Sequence, residues 1–99
     1  MDELFEKIIY HALSHHATDI HMKLDQKLEI QFRVLGKLEH YIRYDFDIGQ
    51  KMINYIKYKS FINVNYKLVP QTGAFHYFID NHIYFLRVSL LPGEHFESI

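Results

Sequence analysis

From Lys27 to Val34 the chain alternates without a break, with Leu28, Ile30 and Phe32 on one side and Lys27, Glu29, Gln31 and Arg33 on the other. Successive side chains of a strand point to opposite faces, so this is a strand with one face in a core and one facing water. Whatever else the chain forms must cover that apolar face. With 99 residues and no cysteine, it has to do so by apolar packing within one domain. The same absence removes a disulfide, a thiolate zinc site and a cysteine nucleophile, which fits a cytoplasmic setting.

The cover is supplied by two amphipathic segments. Leu4, Phe5, Ile8, Ile9, Ala12 and Leu13 recur at three and four residues, predicting a helix from Glu3 to His15 with acidic residues in its first turn and histidines in its last. Ile48, Met52, Ile53, Tyr55 and Ile56 predict a second helix, opened by an Asp47 and Gln50 capping pair and running to about Ser60, although Gly49 weakens it by ~1 kcal/mol. Between the helices, Asp19 to Leu24, Lys27 to Val34 and Lys37 to Tyr44 read as three strands. At the second turn, a two-residue loop would set Phe32 against Glu39. A three-residue loop of Val34, Leu35 and Gly36 sets it against Leu38 and is the expectation.

Phe61 to Gln71 loses the pattern, and Pro70 and Gly73 punctuate a connection. Gly73 to Ile79 and His82 to Leu91 form a hairpin about Asp80-Asn81, which opposes Phe78 to Ile83, Tyr77 to Tyr84, Phe75 to Leu86 and Ala74 to Arg87. An apolar-leaning stretch near Ile99 reads as the start of a further strand. The expected class is α+β, with a mainly antiparallel sheet of about five to six strands and two main helices.

Eleven basic and twelve acidic residues give a net charge of −1, so no global field steers the chain to nucleic acid or an anionic bilayer. No signal-peptide pattern opens it and no apolar run reaches the ~18 residues of a membrane span. Gly36, Gly49, Gly73 and Gly93 stand in no phosphate-binding loop, and neither a nucleophile elbow nor a zincin motif occurs. Among eight histidines, His11 and His15 share a helix face at metal-ligand spacing, but solvated residues at a helix C-terminus are the better reading. Phe75, Tyr77, Tyr84 and Phe85 could stack bases, yet basic residues are not concentrated beside them, which favours ordinary packing.

Specific strings go further than composition. Ala17-Thr18-Asp19-Ile20-His21 resembles the A-S-D-I-H element of the secretion and type IV pilus motor ATPases. Phe32-Arg33-Val34-Leu35-Gly36-Lys37-Leu38 is similar to that family's R-[YF]-R-I-D-G-x-L hairpin, with Leu35 at the aspartate. Pro70-Gln71-Thr72-Gly73-Ala74-Phe75 resembles P-Q-D-G-R-[FI], and Leu86 to Pro92 resembles L-R-V-S-T-L-P. Glu97-Ser98-Ile99 looks like the start of G-E-x-x-V, with Phe96 where glycine is usual.

The resemblance implies a PAS-like module, residues 1–99, that precedes the RecA-like ATPase core of a hexameric motor, most like the competence pseudopilus motors of Gram-positive bacteria. It implies no catalysis by this module, with ATP and magnesium held by the core. It implies contact with the core of the same or a neighbouring subunit and with the cytoplasmic part of pilus or secretion membrane proteins, at the inner face of the cell membrane, and no direct nucleic-acid contact. Family arginines of this module reach the core's nucleotide. Arg87 matches one of them and Arg33 stands at the hairpin arginine, while the second such arginine falls on Ala74. Asp19, His21, Pro70, Gln71 and Gly73 are the other matched positions. Two alternatives stay open: a stand-alone PAS-like sensor binding a ligand or a metal through the aromatic pocket or His11 and His15, and an RNA-binding sheet.

Overall fold

The computed structural model describes residues 1–60, 71–91 and 95–98. Helix α1 (Asp2–Ser14) is followed by strands β1 (Asp19–Leu24), β2 (Lys27–Val34) and β3 (Lys37–Asp45), helix α2 (Phe46–Lys59), and strands β4 (Gln71–Ile79), β5 (His82–Leu91) and β6 (His95–Ser98). The strands form one antiparallel sheet in the order β3-β2-β1-β6-β5-β4. Two helices on one face of such a sheet make an α+β module compatible with a PAS-like fold.

Alternation decides which face the helices take. Ile20, Met22 and Leu24 in β1, Leu28, Ile30 and Phe32 in β2, Phe75, Tyr77 and Ile79 in β4, and Leu86 and Val88 in β5 are all buried. The cross-strand registers set these residues in common rows, Ile20 beside Phe32 and Phe75 beside Leu86, so they share one face. Phe5, Ile8, Ile9 and Ala12 from α1 and Met52, Ile53 and Ile56 from α2 close over it in a single core. The Phe5 ring joins the layers, meeting Tyr55 edge-on at 5.4 Å and Tyr77 edge-on at 5.0 Å. Gly49 lets α2 come down onto β2, since a Cβ there would lie 2.6 Å from Leu28 Cβ. The same glycine that costs helix propensity is the one the packing needs.

Two sequence expectations are corrected. The β2–β3 connection is a two-residue turn, with Leu35 at φ 52° and Gly36 at φ 79°, both in the left-handed region that a tight hairpin requires. Phe32 does pair with Glu39, but the ladder shifts between Ile30 and Gln31, leaving Tyr41 as an extra residue in β3. This bulge restores Ile42 and Tyr44 opposite Ile30 and Leu28 and lets the Tyr41 ring stack on Phe32 at 4.5 Å and 19°. Phe32 is therefore covered by the bulged residue rather than by its register partner. The cap of α2 is also Asp45, not Asp47: the helix begins at Phe46, and Asp45 takes extended dihedrals with φ −60° and ψ 157°.

The strand read near Ile99 exists as β6 and lies at the centre of the sheet. It pairs Ile20 to Lys23 of β1 on one side and Val88 to Leu91 of β5 on the other, so it joins a three-stranded half to the β4–β5 hairpin. Among the described residues no helix is long and apolar enough to cross a membrane.

Candidate functional site

The face of the sheet opposite the helices carries Asp19, His21, Arg33 and Arg87 of the matched residues, whereas Gly73 lies on the helix side. On β4 and β5 the face opposite the helices carries Ala74, His76 and Phe78 against Arg87, Phe85 and Ile83. Phe78, Ile83 and Phe85 are 62%, 64% and 59% exposed, and the His76 ring meets Phe85 edge-on at 5.4 Å. Three large apolar side chains side by side in water form a patch that a neighbour can cover. Arg87 stands at one end of it, exposed, with no ion pair or hydrogen bond to the other described residues. Its register partner is Ala74, as the hairpin count expects.

The row continues across the sheet. Ile20 and Val88 both flank Ser98 of β6, so one register step further Asp19 and Arg87 flank a common point, and Asp19 in turn faces Arg33. At the usual strand spacing this sets the Arg87 and Asp19 backbones ~10 Å apart on one face. Arg33 is occupied locally: its Nε lies 3.3 Å from Asp19 Oδ2 and its Nη1 donates to the Gly36 carbonyl at 3.4 Å. Thr18 completes the cluster, its hydroxyl donating to Asp19 Oδ2 at 3.1 Å and its backbone N–H to the Arg33 carbonyl at 2.9 Å. The geometry thus gives the two arginines different tasks. Arg33 ties β1 to the β2–β3 turn, and Arg87 is the cation that faces outward.

His21 is half-buried on the same face, paired in register with Gln31 and with Glu97. Gly73 has a packing role, because a Cβ on it would lie 2.2 Å from the Ser60 carbonyl oxygen at the end of α2. The glycine lets the helix end rest against β4. Gln71 opens β4, and Pro70 lies outside the described residues.

The other candidates are dispersed. His11 Nδ1 is hydrogen-bonded to the Tyr41 hydroxyl, and His15 Nδ1 to the His11 carbonyl. Among the described residues no three histidine or carboxylate side chains come together as a metal set. The four aromatics considered for base stacking are divided between faces: Phe75 and Tyr77 are buried in the core, Tyr84 pairs with Tyr77 on that side, and Phe85 alone points outward.

One cluster had no sequence signal. The Asp2 carboxylate accepts hydrogen bonds from the Tyr55 hydroxyl and, at 3.4 Å, from the Tyr77 hydroxyl, clasping the start of α1 to α2 and β4. Burial first, and then the Asp2 and Glu6 charges, push Tyr77 up to about 12. Burial and the Asp2 hydrogen bond raise Tyr55 well above the ordinary tyrosine range.

Comparison with known proteins identifies the family. The profile of the family described as "Type II/IV secretion system protein" matches residues 1–99. The chain belongs to that family. Over 97 residues it is 29% identical to the type II secretion system protein E of Dickeya dadantii, covering 97% of this chain and 20% of that protein. It is 28% identical over 97 residues to the protein E of Aeromonas hydrophila, covering 97% and 19%, and 29% identical to that of Xanthomonas campestris pv. campestris, covering 97% and 17%. Within the type II/IV secretion family, the chain thus spans about a fifth of the length of these relatives.

Proposed function

We propose that this chain is the N-terminal, non-catalytic domain of a secretion-type motor ATPase, and that its uncovered sheet face docks on the ATPase core of the same or a neighbouring subunit in a homo-hexamer. The observation that carries this is the exposed Arg87 beside the Phe78, Ile83 and Phe85 patch on the sheet face that, among the described residues, no helix covers. An apolar patch with, among the described residues, an unpaired cation at its rim fits a protein surface that brings an anion to that rim. The anion is a phosphate of the ATP and magnesium held by the core, and Arg87 relays its presence to the orientation of this domain.

Within the family, the finer reading is a motor of the competence pseudopilus, which assembles pilin-like fibres for DNA uptake at the cytoplasmic face of the membrane and meets the cytoplasmic part of a membrane partner. The four sequence elements are those of the family as a whole and are compatible with it. Arg33 has a secondary part, since its guanidinium is already engaged with Asp19.

The test uses the full-length protein. Arg87→Ala is expected to lower ATPase turnover at least about tenfold while leaving the melting temperature unchanged, because a surface cation contributes little to stability. Unchanged turnover with Arg87→Ala would overturn the role of Arg87. Unchanged assembly and turnover with Phe85→Asp and Ile83→Asp together would overturn the docking face.

A further inference from the structure

The sheet ends at two unlike edges, β3 and β4. β3 carries Lys37, Glu39, Arg43 and Asp45 and is interrupted by the bulge at Tyr41. Charges and bulges are devices that keep an edge strand from pairing with a neighbour. β4 has neither, since Gln71–Ile79 holds no Lys, Arg, Asp, Glu or Pro and its ladder with β5 runs without a shift. Which of its main-chain groups face outward follows from the turn. Asp80 and Asn81 close a two-residue hairpin, so Ile79 and His82 exchange both main-chain bonds, and by alternation Tyr77, Phe75 and Gly73 also bond β5. Thr72, Ala74, His76 and Phe78 therefore turn their N–H and C=O groups away from β5, where none of them has a partner among the described residues.

We propose that the free edge of β4 pairs with β4 of a second copy of this chain, antiparallel about a two-fold axis at Phe75. The order of side-chain sizes along the strand argues for a copy. Thr72, Gly73 and Ala74 are small, whereas Phe75, His76, Tyr77 and Phe78 are large. Reversed against itself over its full length, the strand sets Gly73 opposite Tyr77, Ala74 opposite His76 and Thr72 opposite Phe78, with the two Phe75 residues meeting at the axis. Each of the three pairs sets a small residue against a large one, and the central pair is aromatic on aromatic. In this register the unused groups of Thr72, Ala74, His76 and Phe78 are the ones that bond across the axis. No formal charge lies on the strand, so a copy brings it no repulsion.

The axis stands normal to the sheet, so both copies turn the same face outward. The row of Arg87 and Ala74 then runs on into His76 and Phe85 of the copy, which joins the two apolar patches into one. A two-fold contact uses the same surface on both partners and joins domains in pairs instead of closing a ring. It depends neither on the docking of the sheet face nor on the nucleotide role of Arg87.

Cross-linking of the full-length protein, cleared of any other cysteine, tests it. Ala74→Cys and His76→Cys together in one chain set thiols opposite each other across the axis, with Cα atoms about 5.5 Å apart and within disulfide reach. Either substitution alone leaves its thiols on a diagonal of about 7–8 Å. Mild oxidation is expected to give a covalent dimer from the double variant at least about tenfold faster than from either single one. Adding Thr72→Pro, which removes an outward N–H and leaves the bonds to β5 in place, is expected to slow the dimer at least about tenfold. In the unaltered protein the amides of Ala74 and His76 are expected to exchange as slowly as those of Phe75 and Tyr77. No dimer from the double variant, a single variant that matches it, or a dimer insensitive to Thr72→Pro overturns the proposal. Fast exchange at Ala74 and His76 overturns it as well, whatever the substituted chains do.

Discussion

Ala74 and Arg87 face each other across the β4–β5 hairpin on the side of the sheet opposite α1 and α2, a methyl beside a guanidinium. The family resemblance sets a second arginine at position 74, and this geometry would bring two guanidinium groups side by side. Like charges directly opposite cost roughly 0.2–1 kcal/mol, and an anion between them offsets that cost. Ala74→Arg is therefore expected to lower the melting temperature at low salt. Phosphate should restore it more than chloride at matched ionic strength, whereas the unaltered protein should respond alike to both. Equal responses of Ala74→Arg to the two anions would refute the idea that this point of the sheet receives a phosphate.

The β2–β3 turn offers a gain in stability. Leu35 is 97% exposed and held at φ 52°, a left-handed conformation that costs a side chain such as leucine ~1–2 kcal/mol and that asparagine tolerates well. Nothing is lost from the core when it is replaced. Leu35→Asn is expected to stabilise the domain by about 0.5–1 kcal/mol, seen as a higher urea midpoint with an unchanged slope. A lower midpoint would show that Leu35 makes a contact of its own.

How far the sequence carries depends on whether the deciding information is local. Asp80 and Asn81, at φ 49° and 63°, suit a two-residue turn by residue type, so the register of β4 with β5 down to Ala74 and Arg87 can be had by counting. Leu35 gives no such sign, and the bulge at Tyr41 defeats the argument that charge cannot stand opposite Phe32. The helices and their buried faces come from periodicity, while the choice between Asp45 and Asp47 as cap rests on backbone dihedrals that composition does not show. The central place of β6 and the clasp of Asp2 on Tyr77, separated by 75 residues, belong to tertiary structure. For the site, the resemblance selects Arg87 and Arg33 together. Only the structure distinguishes an outward cation from one already paired with Asp19.

Two glycines give opposite signs of local and tertiary preference. In a helix interior Gly49→Ala would ordinarily gain ~1 kcal/mol, yet the added Cβ would lie 2.6 Å from Leu28 Cβ and 2.9 Å from Leu24 Cδ1. Overpacking of a core costs ~1–3 kcal/mol, so the net change is expected to be destabilising. Gly73→Ala should be worse, because its Cβ would meet the Ser60 carbonyl oxygen at 2.2 Å, a backbone atom that cannot swing aside. Urea unfolding of both variants checks the order. A stabilised Gly49→Ala would mean that α2 stands off from β2 in solution by enough to admit a methyl group.

The Asp2 clasp predicts a loss of stability at alkaline pH. Burial and the neighbouring carboxylates hold Tyr77 protonated up to about 12 in the folded chain, against ~10 for a tyrosine in the unfolded chain. Between these values the folded state binds a proton that the unfolded state has released, so stability falls as pH rises through that window. Below pH ~10 both states are protonated and the cluster adds no pH dependence. Tyr55, raised by its burial and its hydrogen bond to Asp2, steepens the fall in the same direction. Urea midpoints measured from pH 9 to pH 11.5 should therefore drop more steeply for the unaltered protein than for Tyr77→Phe, which has no hydroxyl to titrate. Asp2→Asn, which removes one of the charges that oppose ionisation, should fall between them. Parallel curves for all three would mean that the alkaline loss comes from lysine and arginine side chains elsewhere and that the clasp is open in solution.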